Sequence, residues 1–69
     1  MVPVSSSNLS AVGYEAETQT LRVAFIGGGL YEYSGVPSSV HAGLMAASSH
    51  GSYFHAFIKK GPYQYIKID

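Results

Sequence analysis

Residues Thr18 to Ile26 alternate between apolar and polar, and three consecutive glycines follow them. In an extended chain, successive side chains point to opposite sides. Leu21, Val23 and Phe25 therefore share one face, and Thr20, Arg22 and Ala24 share the other. Gly27-Gly28-Gly29 supplies the positive φ that a tight hairpin turn requires, at no steric cost. The chain reverses there, and Leu30-Tyr31-Glu32-Tyr33 returns as a strand with both tyrosines on one face. A strand over Leu9 to Tyr14, joined through the polar turn Glu15-Ala16-Glu17, completes an antiparallel meander. Residues 1–7 read as a short polar lead-in.

The period changes after Ser34-Gly35. Pro37 suits the first turn of a helix, where its missing N–H costs nothing. Val36, Val40 and Leu44 recur every four residues as a helical stripe. Ser48-Ser49-His50-Gly51 ends that helix and caps a second, whose stripe is Phe54, Phe57 and Ile58. Gly61-Pro62 stops it, and Tyr63 to Ile68 reads as a closing strand. The order is βββααβ, an α+β domain with helices on one side of a small sheet. The two helical stripes are expected to pack on Leu21, Val23 and Phe25.

A chain of 69 residues (7.3 kDa) is one domain, residues 1–69. Its core is marginal, because so short a chain buries only about 60% of its unfolded surface. Small domains compensate with disulfides, metal or assembly. This one has no Cys, so disulfides and thiolate metal sites are excluded and assembly remains. Four basic and four acidic residues cancel, and charged residues make up 12%, against about 25% in an average protein. Neutral, charge-poor surfaces self-associate. A homo-oligomer is therefore expected. Met1-Val2-Pro3-Val4 has no basic or apolar leader pattern, and Val23-Ala24-Phe25-Ile26 is too short to span a bilayer. The expectation is a soluble cytoplasmic protein without a membrane partner.

Catalytic chemistry is poorly supplied. Glu15 and Glu17 share a turn, Asp69 is the last residue, and Glu32 points away from Tyr31 and Tyr33. Paired-carboxylate hydrolysis needs two acids facing across one cleft. No serine lies in a G-x-S-x-G elbow. His41, His50 and His55 lack metal-ligand spacing and cysteine partners, so no metal and no cofactor are expected. Gly27-Gly28-Gly29 is followed by a strand instead of a helix, which excludes a phosphate loop. The reading is a non-enzyme.

The tyrosines carry more. Tyr31, Tyr33, Tyr63 and Tyr65 alternate on strands, whereas Phe25, Phe54 and Phe57 lie on apolar stripes. Exposed rings suit base stacking, and equally suit protein contacts or the rim of a half-buried sheet. Lys59 and Lys60 are the only adjacent cations. They offer a phosphate a counter-charge, or they complement the helix dipole. Ser49 to Ser52 opens the same helix, where free N–H groups favour an anion. Helix ends eight residues apart are separated by roughly 12 Å. One ligand reaches both ends only if it is extended, carries two phosphates or sits between subunits.

The run Ser6-Ser7-Asn8-Leu9, Val12-Gly13-Tyr14 and Thr20-Leu21-Arg22-Val23 resembles the start of the KTSC domain. So do Tyr31-Glu32-Tyr33, Gly35-Val36-Pro37, Ala47 through Phe54, Ile58-Lys59 and Pro62-Tyr63. The resemblance covers nearly the whole chain in order, with Tyr31-x-Tyr33 as its hallmark. It implies a domain found at the C-terminus of some lysyl-tRNA synthetases and as stand-alone proteins of bacteria and phages. It also implies a binding module with no known catalytic residues, and the synthetase fusion suggests RNA. Where the family is often basic, this chain has His50, Ser52 and Gln64.

Four basic residues, Arg22, Lys59, Lys60 and Lys67, neutralise few phosphates, so long nucleic acid would be held weakly. The expected function is an oligomeric module that binds a small nucleotide-type anion and sequesters a signalling nucleotide. The expected site is Tyr31, Tyr33, Ser49, Gly51, Tyr53, Lys59, Lys60 and Tyr63. The alternatives are an RNA-binding accessory domain and a protein-interaction module.

Overall fold

The computed structural model describes all 69 residues. The α+β order βββααβ is present, with a two-residue strand added at its start. The strands are β1 (Val2–Pro3), β2 (Leu9–Glu15), β3 (Thr20–Phe25), β4 (Leu30–Ser34) and β5 (Gln64–Lys67). All neighbours are antiparallel, in the order β1-β2-β3-β4-β5. Between β4 and β5 run α1 (Ser38–Ala46) and α2 (His50–Tyr53), the latter continuing as a π-helical segment, Phe54–Lys59. No helix is long and apolar enough to cross a membrane.

The meander forms where the alternation demands it. Gly27, Gly28 and Gly29 hold φ of 92°, 116° and 99°, a conformation that residues with a Cβ rarely adopt. The turn closes with Phe25 N–H donating to Gly29 O at 3.0 Å. Register then sorts the faces. Tyr14, Leu21, Tyr33 and Tyr65 form one cross-sheet row, and Val12, Val23, Tyr31 and Lys67 form the next. Both rows face the helices. The opposite face carries Gly13, Arg22, Glu32 and Ile66, where Arg22 Nε donates to Glu32 Oε2 at 2.8 Å.

The core is Leu9, Val12, Leu21, Val23, Tyr33, Val36, Leu44, Phe54 and Ile58. Most of the expected contact set is there, with four corrections. Phe57 is 57% exposed. The expected stripe assumed α-helical phase, about 100° per residue. In a π-helical turn the bond closes to the fifth residue, so each residue rotates less. Phe54 and Ile58 keep the inner face, while Phe57 swings outward onto Tyr53, ring centroids 4.6 Å apart. Residues 1–7 are more than a lead-in, since Val2 and Pro3 pair with Val12 and Ala11. Tyr63 precedes β5 instead of belonging to it. Val36 is buried in the loop before α1, held by its N–H donating to Gln19 O at 2.9 Å.

Side chains fasten the helices to the sheet. Tyr14 Oη donates to Val36 O at 2.6 Å, and its ring stacks on His41 with centroids 4.5 Å apart. His50 Nδ1 lies 2.8 Å from Leu44 O, a carbonyl near the end of α1 that also accepts from the Ala47 N–H at 3.4 Å. Gly43 lies directly under the Tyr53 ring, where a Cβ would collide with the hydroxyl.

Leu44 and Phe57 test this phase. Leu44→Ala is expected to lower unfolding free energy by about 2–5 kcal/mol, and Phe57→Ala by about 0.5 kcal/mol or less. Urea titration of both variants checks it, and equal losses would place Phe57 in the core.

Candidate ligand site

One end of the helical face of the sheet is left uncovered. Phe54 meets Phe25 and Tyr33 edge to face, whereas Tyr65, at the end of the row, stands exposed. The result is a hollow of about 520 Å3 lined by Phe25, Gly28, Tyr31, Tyr33, Phe54, Lys59 and Tyr65. Its wall is aromatic. Tyr33 and Tyr65 stack at 5.3 Å and 30°, Tyr31 lies 6.0 Å from Tyr65, and Phe25 meets both Tyr31 and Phe54 edge to face at 5.5 Å. Tyr65 is 59% exposed, so one broad ring face is free. Lys59 is the only charged residue in the lining.

Of the eight residues expected at the site, Tyr31, Tyr33 and Lys59 meet in this hollow. Ser49 and Gly51 line a separate polar hollow of about 340 Å3 with Ser7, Asn8, Ser52 and His55. Both have structural work there. Ser49 Oγ accepts from Ser52 N–H at 3.3 Å and caps α2. Gly51 sits against the Asn8 side chain, with no room for a Cβ. Tyr53 is occupied with Gly43 and Phe57. Lys60 is exposed at the end of the π-helical segment, and Tyr63 packs beside Gly61 and the core. Neither lines a hollow.

Sequence reasoning missed Phe25, Gly28, Phe54 and Tyr65 as lining residues. For Tyr65 a signal existed. It shares the alternation of Tyr63 and Lys67, and an antiparallel β5 beside β4 brings Tyr65 across from Tyr33. The remaining three depend on how the helices close over the sheet.

Tyr33 is the most constrained ring. It is 4% exposed, edge-on to Phe54 at 5.5 Å and stacked on Tyr65. Burial pushes its phenol above the ordinary value, and negative charge on Tyr65 and Tyr31 at high pH pushes it further. No group of three or more His, Asp or Glu side chains converges in a way that could hold a metal ion.

Comparison with known proteins places this geometry. The KTSC domain model matches residues 5–65. The chain belongs to the KTSC domain family. The KTSC chain is 41% identical to a protein of Stutzerimonas stutzeri, over 99% of this chain and 96% of that one. It is 48% identical to part of a lysine–tRNA ligase of Nostoc, matching 90% of this chain but only 11% of the ligase. The crystal structure of a KTSC domain protein from Yersinia pestis superposes with a TM-score of 0.91 at 39% identity, covering 97% of this chain and 93% of that one. The same fold thus stands alone and forms a small part of a much longer enzyme.

The raised Tyr33 phenol has a consequence for stability. A group that holds its proton more tightly when folded contributes fully below its unfolded value, near 10. That contribution is lost as pH rises through the folded value. The wild type is therefore expected to lose stability above pH 10 more steeply than Tyr33→Phe. Thermal melts of the two proteins at a series of alkaline pH values check this, and parallel slopes would contradict it.

Proposed function

We propose that this KTSC domain is a non-enzymatic cytoplasmic binding module that holds a small nucleotide-type anion in the aromatic hollow. The observation that carries the reading is the pairing of a free tyrosine face with a single cation at the same opening. A base lies flat on Tyr65, with Tyr31 and Tyr33 behind it, and Lys59 meets a phosphate. Stacking of this kind contributes about 1–3 kcal/mol per base. A volume of about 520 Å3 falls within the roughly 300–1,000 Å3 of small-molecule sites. One cation suits one short ligand better than a long polyanion. The role that follows from binding without turnover is retention, the sequestering of a signalling nucleotide.

The relatives among lysine–tRNA ligases favour a second reading, in which the rings stack on bases of single-stranded RNA. The two readings separate by salt. RNA held through several phosphates is released steeply as salt rises, and a mononucleotide much less.

Calorimetry against a panel of nucleotides is the test. The wild type is expected to bind at least one. Tyr65→Ala should weaken that binding roughly 5- to 150-fold, the equivalent of about 1–3 kcal/mol. Lys59→Ala should weaken it as well, whereas Lys60→Ala should not. Equal binding by Lys59→Ala and Lys60→Ala, or none by the wild type, overturns the assignment.

A further inference from the structure

We propose that β5 pairs with β5 of a second copy, antiparallel and centred on Ile66, to form a two-fold dimer whose sheet continues through both subunits. The sheet has two margins. At one, β1 is two residues long and contains Pro3, which has no N–H to donate. At the other, all four residues of β5 are exposed, and β4 is its only partner. An open strand edge is a template for another strand. Because the second margin is the only uninterrupted one, the pairing is β5 with β5. That contact is self-complementary and closes at two subunits instead of growing into a filament.

The main chain sets which groups are free. Ile68 N–H donates to Leu30 O at 2.7 Å, and Leu30 N–H donates to Asp69 O at 2.9 Å. Bonded and non-bonded pairs alternate along an antiparallel ladder. The next bonded pair is therefore Glu32 with Ile66, while Tyr65 and Lys67 turn their N–H and C=O groups outward. A two-fold axis at Ile66 sets each Tyr65 opposite Lys67 of the partner subunit and uses all four outward groups. An axis at Lys67 would face two ammonium groups, which is repulsive. An axis at Tyr65 would need Tyr63, which lies outside the strand. With the axis at Ile66, the two Ile66 side chains, 61% exposed in the single chain, cover each other.

Assembly also changes the hollow. Tyr65 lines it, so Lys67 of the partner subunit arrives beside its rim as a second cation. This consequence rests on the nucleotide reading; the dimer itself does not.

The chain has no cysteine, so single-cysteine variants report register directly. Facing residues in a non-bonded pair have Cα atoms about 4.5 Å apart, within disulfide range. Gln64 faces Ile68 of the other copy, so two Gln64 or two Ile68 residues are separated by roughly 13 Å. Ile66→Cys is expected to cross-link rapidly into dimers with copper–phenanthroline, and Gln64→Cys and Ile68→Cys slowly. Sedimentation without nucleotide should give twice the 7.3 kDa chain mass at high micromolar concentration. Lys67→Pro should sediment as a monomer and stay folded by circular dichroism, since the one backbone N–H it removes points away from β4. A monomeric wild type, a dimeric Lys67→Pro, or equal cross-linking at all three positions overturns the proposal. Nucleotide calorimetry on Lys67→Pro keeps the two readings apart. Binding by the monomer at wild-type affinity contradicts only the contribution of Lys67 of the partner subunit and leaves the hollow intact.

Discussion

The structure depends on one register, that of β4 held between β3 and β5. It aligns Leu21, Tyr33 and Tyr65 in one row and Val23, Tyr31 and Lys67 in the next. A slip of one residue would turn every side chain of β4 to the other face. Tyr33 would leave the core, Glu32 would enter it, and the Arg22–Glu32 pair on the open face would be lost. Core, hollow and free edge are three readings of the same alignment. At one end the row is covered by Phe54 and Ile58; at the other it is left open at Tyr65.

That arrangement makes economical use of a short chain. Nine buried residues form the core, and Tyr33 belongs both to it and to the wall of the hollow. The π-helical turn matters for the same reason. By widening the turn it keeps Phe54 and Ile58 on the sheet and turns Lys59 to the opening. π-Turns recur at functional positions in helices, and here the turn sets the direction of the one cation the hollow has.

Much of this was legible in the residues. The alternation of Leu21, Val23 and Phe25, the glycine turn and the paired Tyr31 and Tyr33 are local signals that tertiary structure did not override. Phe57 was not legible, because a spacing of three residues reads as one stripe in an α-helix and splits in a π-helical turn. Neither was β1, since two residues with a proline carry no periodicity. At the site, Tyr31, Tyr33 and Lys59 could be named from chemistry. Ser49 and Gly51 carry the same chemistry but face another hollow, where capping and close packing account for them. Tyr65 was signalled by the alternation along β5, whereas Phe25 and Phe54 join the wall through a contact distant in sequence, which no local pattern encodes.

The proposed binding place is the aromatic hollow, and not the polar one at the start of α2. Nuclear magnetic resonance titration with a bound nucleotide tests it most directly, because a stacked base shifts the ring protons it covers. Binding in the aromatic hollow is expected to shift the ring protons of Tyr65, Tyr31 and Tyr33 and the Lys59 side chain, with Ser49, Ser52 and His55 unmoved. Shifts confined to Ser49, Ser52 and His55 would contradict it.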